Sequence, residues 1–109
     1  MAQKFGSRDL INNAQMNSSF MSEPINLVQK KGFSIQCLFA GAPVGAFYIM
    51  VSIDFINWTM LPDSSIAITE AGDHFYNVND VNYVAARLHY AFTSGNGVLN
   101  ASYSTKEIV

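Results

Sequence analysis

Apolar residues recur at every second position along most of the chain after Pro24. The segment Phe33–Phe39 has apolar residues at all of its odd positions, and Phe47–Ile53 repeats this pattern. A period of two places alternate side chains on opposite faces of a β-strand. Both segments are therefore predicted to be core strands. Turn-forming residues bound three shorter predicted strands, at residues 58–61, 65–69 and 74–77.

The clearest local signal is the tetrapeptide Ser94–Gly97, which lies between two further alternating segments. Its residues accept the positive φ angles of a tight reversal, so the pattern predicts a β-hairpin with Phe92 opposite Leu99. A slip of one residue would turn every apolar side chain outward, and this fixes the predicted register. The residues predicted to face inward on the two strands are Val84, Ala86, Leu88, Tyr90, Phe92, Leu99, Ala101 and Tyr103.

About seven short strands and no convincing long helix predict an all-β fold, an antiparallel β-sandwich or jelly-roll-like domain. Residues 23–109 form this predicted domain, and 109 residues suffice for one core without a disulfide. Residues 1–22 are rich in Asn, Gln and Ser, with scattered apolar Leu10, Ile11 and Phe20. They are predicted to be an extended N-terminal arm, either disordered or ordered on a neighbouring subunit.

An unusual stretch without any charged residue runs from Lys31 to Asp54. Within it the apolar run Cys37–Val51 is too short for a membrane helix and is interrupted by Gly41, Pro43 and Gly45, which indicates two strands joined by an apolar loop, Ala42–Val44. The next turn contains Phe55 and Ile56. Ala42–Val44 and the pair Phe55 and Ile56 either fold back over the core or form contact surfaces for another polypeptide.

The composition limits the classes of molecule that the chain is expected to bind. Only 13% of the residues are charged and the net charge is −2, so no basic face is available for nucleic acid. The N-terminal sequence lacks the apolar core of a secretory signal, which predicts a chain that stays in the cytoplasm where it is made. Cys37 is the only cysteine and is expected to be a buried, unreactive thiol.

The residues that could support chemistry form no recognisable active site. The acidic side chains lie at predicted turns, where aspartate caps are common, and the two histidines lack further zinc ligands. Arg87 is expected to make a salt bridge or a hydrogen bond on the sheet. We expect no catalysis, no cofactor and no metal ion. The candidates weighed were the carboxylates Asp54, Asp63, Glu70, Asp73 and Asp80, the histidines His74 and His89, and a calcium set of Asp73, Asn77, Asn79, Asp80 and Asn82.

The order of short motifs over residues 19–107 resembles a family of small structural proteins of tailed bacteriophages. The motifs include SFMSEPI at 19–25, FSIQ at 33–36, GAPVGAF at 41–47, SIDFINW at 52–58, GDHFYN at 72–77, RLHY at 87–90 and SGNGVL at 94–99. The chain departs from the family pattern at Phe55 and Ile56, where small polar residues are usual, and at the more apolar segment Ala42–Val44.

The resemblance implies a β-sandwich subunit of the virion without enzymatic activity, made in the cytoplasm of the bacterial host. Its expected place is capsid decoration, a minor capsid position, the neck or the tail. The expected partners are capsid, portal or neck, or tail subunits and further copies of the chain, with no nucleic acid and no membrane. The predicted subunit-interface residues are Leu10, Ile11, Phe20, Ala42, Pro43, Val44, Phe55 and Ile56.

An alternative function is carbohydrate binding by a discoidin-like module. The blocks S-x-D-x-x-N-W, ending at Trp58, and Y-x-x-x-R, ending at Arg87, resemble such sandwiches. Trp58, Tyr48 or Tyr76 would then provide the flat aromatic surface on which a sugar ring stacks. A position of Trp58 in the core is the competing interpretation.

Overall fold

A computed structural model describes residues 8–107 of the protein. These residues form eight β-strands, and among them no helix has the length and apolarity needed to cross a membrane. The strands are β1 Arg8–Gln15, β2 Phe20–Met21, β3 Ile25–Asn26, β4 Lys30–Ser52, β5 Thr59–Met60, β6 Ile66–Ile68, β7 Gly72–Val78 and β8 Ala85–Glu107.

Two strands of 23 residues, β4 and β8, organise the fold. They pair antiparallel over their whole length, from Lys30 opposite Glu107 to Ser52 opposite Ala85. Shorter strands flank this ribbon on both sides. On the β8 side lie β1, β2 and β3, and on the β4 side lie β5, β6 and β7.

The long ribbon bends sharply in its middle. The ring centroids of Phe39 and Phe47 are 5.4 Å apart, although eight residues of straight strand would separate them by roughly 26 Å. The two halves of the ribbon therefore face each other across a shared core. We call one half the first half-sheet (β1, β7, residues 30–40 and 98–107) and the other the second half-sheet (β2, β3, β5, β6, residues 45–52 and 85–92).

The bend, which we call the corner, comprises residues 41–44 of β4 and 93–97 of β8. Gly41 and Gly95 have φ angles of 90° and 75°, which glycine adopts without steric cost. The register also shifts between Val44 and Gly45, which leaves one additional residue, Thr93, on β8. An extra residue of this kind bends a strand and increases its twist.

The core lies between the inner faces of the half-sheets. Tyr90 is at its centre, with its ring 5.3 Å from that of Phe47 and 5.5 Å from that of Phe20. Its hydroxyl donates to the carbonyl of Val44 at 3.2 Å, which ties the core to the corner. The prediction of an antiparallel β-sandwich is confirmed. The other large side chains that are almost completely buried are Met16, Ile25, Leu27, Ile35, Ile49, Leu88 and Leu99.

The predicted hairpin at Ser94–Gly97 is wrong. These residues continue β8 and pair with β4, where Asn96 lies opposite Ala42. Phe92 is not opposite Leu99 but pairs with Gly45 beside the corner, where it is exposed. Glycine and asparagine suit a corner between half-sheets for the same conformational reason that they suit a hairpin turn.

The predicted loop Ala42–Val44 is likewise part of a strand. Pro43 is fully buried there, and Val44 is half-buried. The alternation predicted for Phe33–Phe39 and for the first part of Phe47–Ile53 agrees with the burial. It fails at Ile53, which lies beyond the end of β4 and is exposed.

The predicted N-terminal arm is integrated into the sandwich wherever the structure describes it. Residues 8–15 form β1, an edge strand on the same chain's β8, with Ile11 opposite Ala101. Met16 is completely buried, so its apolar surface is covered within the chain itself. The strands within residues 8–22 therefore belong to the same sheet as the rest of the sandwich. The remainder of the predicted arm, residues 1–7, lies outside the described residues.

Candidate interaction surface

The most prominent apolar feature of the surface is the connection between β4 and β5, residues 53–57, which we call the 53–57 loop. Ile53, Phe55 and Ile56 are 76%, 45% and 78% exposed. Large apolar side chains concentrated on one short loop are unusual in a protein that acts alone, because loops normally present polar groups to water.

The side chain of Ser52, at the end of β4, binds the backbone of the first turn of this loop. Its hydroxyl oxygen accepts from the backbone N–H of Asp54 at 3.1 Å and of Phe55 at 2.9 Å, and the hydroxyl donates to Asp54 Oδ1 at 2.9 Å. Ser52 itself is buried at the end of β4. The loop is therefore fixed to the sandwich by a side chain that cannot move freely.

Asp54 closes the second turn. Its Oδ1 accepts from the backbone N–H groups of Ile56 and Asn57, both at 2.8 Å, and its Oδ2 accepts from Asn57 Nδ2 at 2.8 Å. These bonds favour the ionised carboxylate and hold the pKa of Asp54 well below its usual range, the backbone N–H of Asn57 making the largest contribution.

Phe55 is held in a backbone conformation that its side chain disfavours. Its φ angle is 64°, and a left-handed conformation costs a residue other than glycine about 1–2 kcal/mol. The bonds from Ser52 and Asp54 on either side compensate for this cost. The backbone of the loop is thus fixed where it carries Phe55 and Ile56, so little backbone conformational entropy would be lost on binding a partner.

The predicted interface residues do not form one surface. Phe55 and Ile56 lie together on the 53–57 loop, whereas Ala42–Val44 lies at the corner, at the other end of its half-sheet. Ala42 is exposed and Pro43 is buried. The three residues predicted in the arm, Leu10, Ile11 and Phe20, are partly buried and pack against the core.

A second group of aromatic side chains lies on the outer face of the second half-sheet. The guanidinium of Arg87 lies 4.9 Å from the ring centroid of Trp58, and His89 stacks on Tyr48 at 4.6 Å with an angle of 13°. Arg87 Nε also donates to the carbonyl of Ser22 at 3.0 Å. Trp58 is therefore a partly exposed residue of the surface and does not belong to the core.

Tyr76 and His89, two candidate residues of the sequence analysis, lie in different surroundings. Tyr76 is buried and donates to the carbonyl of Ser64 at 2.8 Å, so it offers no flat surface to a ligand. Burial lowers the pKa of His89, and the nearby charge of Arg87 lowers it further. Met21 and Met60 on the same half-sheet are also exposed, and sequence reasoning missed them because alternation alone does not separate an outer face from the core.

The acidic side chains do not converge on a catalytic or metal centre. Asp73 and Asn77 are four residues apart on the extended strand β7, which separates their Cα atoms by roughly 13 Å. Within residues 8–107, no three of the His, Cys, Asp and Glu side chains are grouped closely enough to hold a metal ion. Cys37 is buried, and burial raises its pKa to about 12.

Comparisons with known proteins find similarity in the fold of the chain and not in its sequence. No family model matches the sequence, and no curated protein matches it. The fold is similar to that of the PBSX exported protein XepA, with a TM-score of 0.71 and 11% identity over 95% of this chain. The chain covers 38% of XepA, well under two thirds of its length.

Two further solved structures are similar. The SPBc2 prophage-derived protein YomS has a TM-score of 0.62 and 9% identity, over 93% of this chain and 92% of YomS. A structure described as "CBM4 structure and function" has a TM-score of 0.51 and 9% identity, over 81% of this chain and 61% of that protein. At these identities the similarities establish a shared β-sandwich fold.

Proposed function

We propose that the protein is a structural subunit of a bacteriophage virion that acts through contacts between subunits. The observation that carries this proposal is the 53–57 loop, which holds Phe55 and Ile56 exposed in a fixed conformation. Similarity of fold to YomS over nearly the whole of both chains, and to part of XepA, supports a phage origin.

Burial of this loop would contribute to the free energy of a contact between subunits. Complete burial of a side chain such as phenylalanine or isoleucine contributes about 1.5–3 kcal/mol. The ordering of Ser52, Asp54 and Asn57 is already complete in the free subunit. A few residues packed at the centre of an interface dominate its binding energy, and Phe55 and Ile56 are the residues of this loop that we assign to that position.

In this proposal the subunit is not an enzyme, and its partners are other virion proteins and further copies of itself. Capsid decoration, a minor capsid position, the neck and the tail are all compatible with a small sandwich that presents an apolar loop. The virion is the expected location of the mature protein, after synthesis in the host.

The proposal is tested by replacing Phe55 and Ile56 with serine in the phage that carries the gene. We expect the purified Phe55→Ser/Ile56→Ser protein to unfold within a few degrees of the wild type, because both side chains are exposed and neither belongs to the core. We expect particles assembled with it to lack the subunit in immunoblots of purified virions. The matched control, Met21→Ser/Val28→Ser, removes two similarly exposed apolar side chains elsewhere and should be incorporated. Normal incorporation of the Phe55→Ser/Ile56→Ser protein would contradict the proposal.

A second candidate function, carbohydrate binding, is favoured by the partly exposed Trp58 beside Arg87 and by the similarity of fold to the CBM4 structure. Aromatic rings bind the apolar faces of sugars, and neighbouring polar groups bind the hydroxyls. Trp58 is the only tryptophan, so its fluorescence reports on this surface alone. A saturable change on titration with soluble oligosaccharides, lost in Tyr48→Ala, would support this function, and no change would reject it.

A further inference from the structure

The exposed apolar surface of the 53–57 loop continues onto the strand that follows it. Trp58 comes directly after this loop and is partly exposed, and Met60 on β5 is 43% exposed. Of the nine large apolar side chains that are exposed within residues 8–107, four lie in residues 53–60. A partner seated on the loop therefore lies beside the side chains at the start of β5.

Arg87 and Met60 belong to one row across the outer face of the second half-sheet. Met50 on β4 pairs with Arg87 on β8 and with Met60 on β5. Their neighbours along each strand pack against the core, so the three side chains point outward. The guanidinium of Arg87 also lies 4.9 Å from the ring centroid of Trp58. We call the four residues Met50, Trp58, Met60 and Arg87 the Trp58 face.

The loop alone is too small for a specific contact between proteins. A stable interface buries roughly 800 Å² on each partner and involves about 20–30 residues a side, whereas the loop has only the residues 53–57. A contact centred on Phe55 and Ile56 must therefore include neighbouring surface. The Trp58 face adjoins the loop and has the composition of an interface centre, where tryptophan, arginine and methionine are enriched.

Arg87 is a charged residue for which its own chain supplies no carboxylate. Its Nε donates to the carbonyl of Ser22 at 3.0 Å, and within residues 8–107 this is the one hydrogen bond of the side chain. Glu23 follows Ser22 in the chain but forms no ion pair with Arg87. The carboxylate of Asp54 is occupied by bonds within the loop. The N–H groups on the two terminal nitrogens of Arg87 are therefore available to an acceptor.

A partner that covers the Trp58 face would remove water from these N–H groups. A buried charge without a partner is strongly destabilising, whereas a carboxylate binds both terminal nitrogens of an arginine at once. The contact with Trp58 holds the guanidinium in place before binding. A partner that buries this face in a stable complex must therefore supply the carboxylate itself.

We propose that the 53–57 loop and the Trp58 face form one continuous interface for a virion protein that presents a carboxylate opposite Arg87. This inference rests on the proposed function and names the chemistry of its partner. The partner's surface is apolar where it covers Phe55 and Ile56, with an aspartate or glutamate beside that area. The next row of the outer face, Met21, His89 and Tyr48, lies outside the contact.

A glycan is the competing occupant of this surface. The guanidinium of Arg87 lies over the indole of Trp58, so one side of the ring is already covered by the protein. Met50 and Met60 offer only weak acceptors to the hydroxyl groups of a sugar. The exposed apolar side chains of the adjoining loop favour a protein, because their burial stabilises a protein contact.

Two substitutions of Arg87 separate its charge from its bond to Ser22. Arg87→Lys and Arg87→Met both remove the Nε–H donor, and only lysine keeps the positive charge. The measurement is the amount of each subunit in purified virions by immunoblot, with urea denaturation of each purified protein as the test of folding. We expect incorporation of Arg87→Met to fall at least about tenfold and that of Arg87→Lys to fall less. Equal incorporation of the two variants would overturn the role of the partner's carboxylate.

Two exposed methionines provide a matched pair for the apolar part of the interface. Met60 lies inside the proposed contact and Met21 outside it, and their exposed fractions are 43% and 51%. We expect Met60→Ser to lower incorporation by roughly threefold or more, because the burial of that side chain is lost. Met21→Ser and Tyr48→Ala should leave incorporation unchanged. Equal incorporation of Met60→Ser and Met21→Ser would contradict the extension onto β5.

The outcomes for this interface and for the proposed function are distinguishable. Loss of Phe55→Ser/Ile56→Ser from virions, with normal incorporation of Arg87→Met and Met60→Ser, would reject only the Trp58 face. Normal incorporation of all three variants would reject the loop as well.

Two further results would overturn the identity of the occupant. Reduced incorporation of Glu23→Gln would show that the subunit itself supplies the carboxylate for Arg87. A saturable response of the Trp58 fluorescence to a soluble oligosaccharide, lost in Arg87→Met, would assign the surface to a glycan.

Discussion

Replacement of Gly97 by alanine is expected to destabilise the sandwich strongly, because β4 occupies the space that a side chain would need. A Cβ atom at this position would lie 2.3 Å from the carbonyl oxygen of Ala40 and 3.2 Å from Cδ of Pro43. Ordinary contacts begin near 3.4 Å, so the two strands would have to separate by about 1 Å at the corner.

The energetic cost follows from this separation. Neighbouring ladder bonds would lengthen beyond the usual limit of about 3.2 Å, and the loss of two of them costs about 1 kcal/mol each. Overpacking of the buried Pro43 adds about 1–3 kcal/mol. We expect a total loss of at least about 3 kcal/mol in the free energy of unfolding. For a domain of this size that corresponds to a decrease in Tm of about 12 °C.

Thermal and urea denaturation, followed by circular dichroism, measure this loss. The control is Asn96→Ala at the neighbouring exposed position, which should change stability by no more than about 0.5 kcal/mol. Equal stability of the two variants would refute the reasoning. It would mean that Gly97 does not lie against Ala40, and it would favour the hairpin that the sequence suggests.

Three further predictions concern single side chains. Ser52→Ala removes the acceptor for two backbone N–H groups, so we expect a loss of about 1 kcal/mol in urea denaturation and faster proteolysis of the 53–57 loop. Asp54 has a lowered pKa in the folded state, so its stabilising effect is fully present above the unfolded-state pKa near 4 and is lost as the pH falls towards the folded-state pKa. The free energy of unfolding, measured from pH 7 to pH 2, should therefore depend less on pH in Asp54→Asn than in the wild type. Cys37 is buried with a pKa of about 12, so a thiol reagent at pH 8 should modify it only in denaturant, and rapid modification of the native protein would contradict the core assignment.

Alternation along the chain predicted the inner faces of the long strands because side-chain direction within a strand is a local property. The odd-numbered residues of Phe33–Phe39 face the core as predicted, and so do Phe47 and Ile49. The same local signal could not distinguish a hairpin from a corner at Ser94–Gly97. That distinction depends on pairing with Ala42 and its neighbours, more than fifty residues earlier in the sequence.

The candidate surface was predictable in part. Phe55 and Ile56 are apolar residues in a turn, and the sequence left open whether they fold back over the core or form a contact surface; the structure places them exposed. Nothing in the pattern indicated that Pro43 would be buried, because its burial results from the opposite strand at the corner. The role of β1 was also missed, since its irregular register interrupts the period of two.

The pairing of β4 with β8 also determines how the chain can fold. Their contacts join residues 33 to 77 positions apart, so large loops must close before the ribbon gains stability. Folding dominated by such non-local pairing takes milliseconds to seconds. During synthesis on the ribosome, β5, β6 and β7 emerge first and pair with only parts of β4. The strand that pairs with the whole of β4 is β8, which emerges last. The nascent chain must therefore keep 23 residues of largely apolar strand from aggregating until then.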